Sequence, residues 1–188
     1  LALAGCSDEK STSADDTTAP TADITTTAPT MTETGCPSAA PAADAAPQWE
    51  VQGTTGSVAI TGQTDTTAPK VTVTTPFAVS ATEVKTLTLC DGAVATEKDI
   101  VNVCYEGVNG TTGKVFDSAY RNGTAATFPA TGVIPGFQQA LVGQKVGSTV
   151  AVVIPSADGY PQGTPDGSIK AGETIIFALK ILDAQAGN

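Results

Sequence analysis

The chain has 188 residues, with 19 Asp plus Glu against 9 Lys plus Arg, a net charge of −10 and no histidine. An acidic balance of this size gives no surface able to neutralise a phosphate backbone, which excludes nucleic acid as a partner. The missing histidine excludes Ser/His/Asp triads, Cys/His pairs and histidine zinc sites, and no apolar run reaches the roughly 18 residues of a spanning helix.

Residues 1–6, Leu-Ala-Leu-Ala-Gly-Cys, look like the remnant of a bacterial lipoprotein signal ending at a lipidation site, Cys6. The expected localisation is therefore exported and lipid-anchored, at the outer face of the bacterial cytoplasmic membrane or the cell envelope. A lipid there adds about 0.8 kcal/mol per buried methylene, so the membrane is a partner through the anchor alone. Residues 7–46 are almost entirely Ser, Thr, Ala, Pro, Asp and Glu, with Ile24 and Met31 as the large apolar exceptions. Such a segment cannot offset a backbone entropy of about 1–2 kcal/mol per residue, and it is expected to be a disordered tether, partly extended by Thr-Thr-Ala-Pro at 17–20 and 26–29. In residues 47–67, Trp49, Val51, Val58 and Ile60 are scattered among Gly and Thr, an extension in which Val58 and Ile60 alternate as in a short hairpin.

From 68 to 184 the pattern is that of one β-rich domain, with 185–188 as a tail. Val71 and Val73 alternate with threonines, as do Val84, Leu87 and Leu89 with polar neighbours in 83–89. Residues 100–105 place Val101, Val103 and Tyr105 on one face and Ile100, Asn102 and Cys104 on the other. Further strands are expected over 146–154 and over 174–182, the last with Ile175, Phe177, Leu179 and Ile181 on one face. One helix interrupts them: after Ile134-Pro135-Gly136, Phe137, Ala140 and Leu141 fall at helical spacing and Gly143 supplies the stop. The fold class is α+β, an antiparallel sheet with a single short helix on its apolar face.

The four cysteines show no CxxC spacing, which argues against a metal cluster. With Cys6 assigned to lipid, Cys90 and Cys104 share parity with polar neighbours, so both sulfurs are expected on polar faces. In an oxidising setting a Cys90–Cys104 disulfide is reasonable if the strand ends lie side by side; two unpaired thiols are the alternative, and Cys36 is left over in both cases.

Six segments in order, Val103-Cys104-Tyr105-Glu106-Gly107, Gly113 to Ser118, Val133 to Phe137, Leu141 to Gly147, Ile154 to Tyr160 and Ile175-Ile176-Phe177, resemble the FKBP-type peptidyl-prolyl cis/trans isomerases. The resemblance implies a curved antiparallel sheet wrapped on one helix, and a pocket that isomerises X-Pro bonds in exported or envelope proteins. Carried over to this chain, it implies catalytic roles for Tyr105, Phe116, Asp117, Tyr160 and Phe177. Substrate would be bound by Arg121, Phe128, Val133, Ile134, Phe137 and Ile169, with the Ile134 N–H holding a substrate carbonyl and Arg121 supporting Asp117. Partners would be proline-containing polypeptides and macrolide ligands, with no cofactor, no metal and a monomeric chain. The chain departs from the family at Phe137, where tryptophan is usual, and at Ala126, Pro161 and Lys170, which weakens the case for macrolides most. The residue types point the same way without the name: an X-Pro bond needs no acid, base or nucleophile, only a dry, ring-lined hollow that prefers the twisted amide. A catalytically weak chaperone or binding module of the same fold is the alternative reading.

Overall fold

The computed structural model describes residues 35–187. Two antiparallel sheets lie back to back. The first has order β1-β2-β3, from β1 (Trp49–Gln52), β2 (Thr55–Thr61) and β3 (Lys70–Ala78). Trp49 stands opposite Ile60 and Val58 opposite Val73, so residues 49–61 form a hairpin extended by β3. The strand expected at the start of the main domain, around Val71 and Val73, therefore belongs to this smaller sheet.

The second sheet contains β4 (Glu83–Thr88), β5 (Asp99–Asn109), β6 (Val115–Ser118), β7 (Ala126–Pro129), β8 (Thr149–Ile154) and β9 (Ile175–Ala186). Its order is β4-β8-β9-β5-β6, with β7 also pairing to β5. The helix α1 (Pro135–Gln139) begins with Pro at its first position, where a missing N–H costs nothing, and the turn after it passes through Gly143 at φ +86°. α1 is pressed on β8: a Cβ at Gly136 would stand 2.4 Å from Ile154 Cγ2, a distance no real side chain tolerates.

The second sheet is covered on both faces, and its central strands show it. Val150, Val152 and Ile154 of β8 and Ile175, Phe177, Leu179 and Ile181 of β9 enter the core under α1. The alternate residues Ala151, Val153, Ile176 and Ala178 pack instead against Val51, Val58, Ile60 and Phe77 of the first sheet. Burial on both sides explains why 150–154 reads as one unbroken apolar run, and each fully buried Val or Ile there contributes about 1.5–3 kcal/mol.

A strap formed by residues 35–48 crosses the outside of β5. The Cys36 N–H donates to Gly123 O at 3.1 Å, the Ala68 N–H to Ala39 O at 2.8 Å, and Ala39 bridges to Thr67 in parallel. Cys36 is disulfide-bonded to Cys104, with the two Cα atoms 5.6 Å apart. Residues 35–46, expected as tether, are therefore packed chain; residues 7–34 lie outside the described residues.

The expected Cys90–Cys104 pair is corrected by the same bond. The sheet order puts β8 and β9 between β4, which Cys90 follows, and β5, which carries Cys104. Three strand steps of about 4.8 Å separate them, well over the roughly 7 Å limit of a disulfide. The parity argument fails here too, because Cys104 and Asn102 are fully buried rather than on an open polar face. The strap, Ala119 and Tyr120 cover Cys104, and the Tyr120 hydroxyl donates to Gln63 Oε1 from the segment leading to β3. Cys6 lies outside the described residues.

Candidate functional site

On the front of the second sheet, between β5, β6, β7, α1 and the β8–β9 loop, lies a hollow of about 260 Å³. It is lined by Tyr105, Phe116, Asp117, Phe128, Gly132, Val133, Ile134, Phe137, Tyr160 and Phe177. Nine of the eleven residues expected at the site are therefore on one wall, though they span 73 residues of chain. A larger, shallower trough of about 570 Å³ beside Glu97–Ile100 contains no aromatic side chain.

The rings form one continuous edge-to-face cluster. Phe137, brought in by the first turn of α1, stands 4.8 Å from Phe177, 5.8 Å from Phe128 and 5.9 Å from Tyr105, centroid to centroid. Phe116 joins through Phe177 at 5.6 Å, and Tyr105 is 6.1 Å from Phe177. Such perpendicular pairs add about 0.5–1.5 kcal/mol each beyond their area, so the wall is stiff as well as apolar. Gly107 makes this approach possible. It sits on β5 opposite both Asp117 and Phe177, and a Cβ there would lie 2.7 Å from Phe116 Cζ and 2.7 Å from Phe177 Cε1. Its signal in the sequence is a glycine inside a strand pattern, which marks a close approach.

One polar pair faces this wall. The Tyr105 hydroxyl donates to Asp117 Oδ2 at 2.6 Å, short enough for a charge-assisted bond. Burial raises the Tyr105 hydroxyl well above the usual phenol range, and the hydrogen bond to Asp117 and its negative charge add to that. Burial also raises Tyr160, with a smaller push from the Asp117 charge. Both phenols therefore stay protonated, as donors, across neutral pH. Among the described residues, Asp117 is the only charged one on the lining.

Tyr160 is carried by a loop that is braced along its length. The Ser156 hydroxyl donates to Tyr160 O and accepts from the Gly172 N–H, and Thr164 and Ile169 exchange backbone and side-chain bonds. Asn109 Nδ2 ties the loop to β5 through Glu173 Oε2 at 2.6 Å and Ser168 O at 3.1 Å. Pro161 therefore stands in a constrained loop with Gly163 turning at φ +73°. Val133 and Ile134 form the mouth, and Ile134 caps the helix in an extended conformation, φ −60° and ψ 149°.

Two expected residues are elsewhere. Arg121 is exposed, is absent from the lining, donates to Val115 O at 3.4 Å and acts electrostatically on Glu106. Ile169 is buried in the core beneath the loop, an anchor rather than a lining residue. Sequence reasoning missed Gly132 and Gly107. Among the described residues no group of His, Cys, Asp or Glu is arranged to hold a metal ion.

The family description that matches residues 92–182 is "FKBP-type peptidyl-prolyl cis-trans isomerase". A probable FK506-binding protein of Corynebacterium glutamicum is 36% identical over 95 residues, which are 50% of this chain and 79% of that relative. The peptidyl-prolyl cis-trans isomerase Mip of Coxiella burnetii is 37% identical over 103 residues, 54% of this chain but 44% of that protein, so the chain spans under half the length of this longer relative. Among solved structures, FkpA from Escherichia coli aligns with TM-score 0.53 and 30% identity over 57% of this chain and 49% of its own. The fold is that of an FKBP-like domain, antiparallel sheet with one short helix. The chain belongs to the FKBP-type peptidyl-prolyl cis-trans isomerase family.

Proposed function

We propose that the chain accelerates cis/trans isomerisation of X-Pro bonds in exported polypeptides, at the hollow between β5, β6 and α1. The observation that carries this reading is the conjunction of an apolar ring cluster with a single acid–phenol pair at its rim. Rotation about an X-Pro bond meets a barrier of about 18–20 kcal/mol because it destroys amide resonance. The twisted amide has a less polar C–N bond and a pyramidal nitrogen. A dry wall of rings that holds the pyrrolidine therefore favours it over either planar isomer, which is what lowers a barrier. Phe137 and Phe177 supply the floor and Phe116 and Phe128 the sides. The Ile134 N–H at the mouth and the Tyr160 hydroxyl are the donors that fix the carbonyls on either side of the proline. Asp117, held by Tyr105, keeps an ordered negative edge beside the rotating carbonyl without taking a proton from it.

The exported setting is supported by the Cys36–Cys104 disulfide, a bond that persists in oxidising compartments. A lipid at Cys6 would hold the domain beside the membrane, where it would work as a monomer. Macrolide ligands would compete for the same rings. A protease-free assay on a proline-containing peptide tests the activity: wild type accelerates isomerisation, and Asp117→Val or Tyr160→Phe lowers kcat/KM about 3- to 30-fold with the fold intact. No acceleration by a folded wild type would leave a binding module of the same shape.

A further inference from the structure

The strap fixes where the preceding chain starts, and that point is behind the strand that carries Tyr105. Cys36 Cα is 5.6 Å from Cys104 Cα. Cys104 is the neighbour of Tyr105 in β5, about 3.8 Å further along the backbone, so Cys36 lies within about 9 Å of a pocket residue's Cα. Cys104 and Tyr105 point to opposite faces of the sheet, so chain leaving Cys36 must round an edge to reach the hollow. The Cys36 N–H is bonded to Gly123 O, and a Cβ on Gly35 would stand 3.2 Å from that same oxygen. Gly123 belongs to the loop joining β6, which carries Phe116 and Asp117, to β7, which carries Phe128. The strap is thus pinned at the loop between two strands that furnish the pocket wall.

Seven residues before Cys36 stands Pro29, preceded by Ala28. Seven residues reach at most about 25 Å when extended, enough to round a sheet edge about 10 Å thick and enter the hollow. The surrounding window Ile24-Thr25-Thr26-Thr27-Ala28-Pro29-Thr30-Met31-Thr32 contains no charge, and it includes both large apolar residues of the 7–34 segment. A neutral, partly apolar X-Pro segment suits a hollow whose only charged lining residue, among the described residues, is Asp117. The other repeat, Ala19-Pro20, is sixteen residues from Cys36 and has three carboxylates within five positions, Asp15, Asp16 and Asp23, against one, Glu33, for Pro29, so the Asp117 edge repels it more. Distance also lowers its effective concentration.

We propose that Ala28-Pro29 of the chain's own N-terminal segment docks in the X-Pro pocket as a built-in competing ligand that clients must displace. This rests on the isomerase reading for the nature of the pocket, but docking can be read without catalysis. A short link gives an effective concentration of order mM, so even a weakly bound segment raises the apparent KM for a client about 2- to 5-fold. The residues involved are not catalytic: the segment is a ligand, and its removal uncovers the site.

The test uses the full chain, isotopically labelled, as wild type, Pro29→Ala and Pro20→Ala. Docking predicts that Pro29→Ala moves the backbone amide signals of Val133, Ile134 and Tyr160 and lowers KM for a proline-containing peptide about 2- to 5-fold with kcat unchanged, while Pro20→Ala does neither. A peptide of residues 24–32 added to Pro29→Ala should return those signals toward their wild-type positions. Signals that are identical in wild type and Pro29→Ala overturn the proposal, and with isomerase activity intact they leave the catalytic reading standing. Signals that move in a protein with no isomerase activity support docking and overturn catalysis instead.

Discussion

The second sheet covers its two faces with different side chains. Behind the second sheet, Val51, Val58, Ile60 and Phe77 meet Ala151, Val153, Ile176 and Ala178, a largely aliphatic layer with Phe77 as its one fully buried ring and Trp49 partly buried against it. In front, four of the five phenylalanines and two of the three tyrosines of the chain gather around one hollow. The matched family region, 92–182, contains the whole front wall and none of β1–β3. Aliphatic side chains interlock and fill space, whereas perpendicular rings held apart by their own geometry leave a concave, apolar surface. The contrast separates a layer that supports the sheet from a layer that binds.

The largest expected effect breaks the two layers in turn. Phe77→Ala and Phe177→Ala each remove a buried ring and should each cost about 3–5 kcal/mol in urea unfolding. Only Phe177→Ala should also abolish most of the isomerase rate, by 10-fold or more, while Phe77→Ala stays within about 2-fold of wild type where both are folded. Equal losses of rate would erase the distinction. Next comes the clamp that joins the strap to the back of β5. Replacing Cys36 and Cys104 together with Ser opens a cross-link of sequence separation 68 and should lower stability by about 2–4 kcal/mol, with kcat changed little.

A smaller change sharpens the chemistry of the front. Tyr105→Phe keeps the ring against Phe137 but removes the donor to Asp117, and should lower kcat/KM about 3- to 10-fold while stability falls by about 0.5–1.5 kcal/mol. The smallest effect is electrostatic. Burial raises the Glu106 carboxyl above its ordinary value, partly offset by a hydrogen bond from Ser118 and the nearby Arg121. A folded-state value above the unfolded one means that the protonated form is favoured by folding, so this contribution is present in acid and is lost as pH rises through the folded-state value. Glu106→Gln should therefore gain stability relative to wild type on going from pH 4 to pH 7, seen as a shift in the urea midpoint. A constant difference across that range would place Glu106 in water.

Much of the front layer was legible in the sequence because its signals are local. The odd-numbered positions of β5 and β9, Val101, Val103 and Tyr105 and then Ile175, Phe177, Leu179 and Ile181, make one apolar face, and Pro135 and Gly143 punctuate α1. What was not legible depends on what covers what. Cys104 and Asn102 share parity with polar residues, but the strap and its neighbours close over that face, and strand parity carries no information about a third layer. β6 and β7, four residues each, are too short for a periodic signal and exist because β5 offers them an edge. Arg121 and Ile169 show the same limit from the other side: proximity in sequence to the pocket loops does not decide whether a side chain lines the hollow, faces water or anchors the loop from below.

The central claim, that the ring-lined front hollow is where X-Pro bonds are held and turned, is tested most directly by following backbone amide signals while a proline-containing peptide is titrated into the full chain, with exchange between its cis and trans signals recorded in the same samples. The account predicts progressive shifts at Val133, Ile134, Phe137 and Tyr160, none in β1–β3, and cis–trans exchange that quickens with added protein. Shifts confined to the first sheet, or exchange no faster than in buffer, would contradict it.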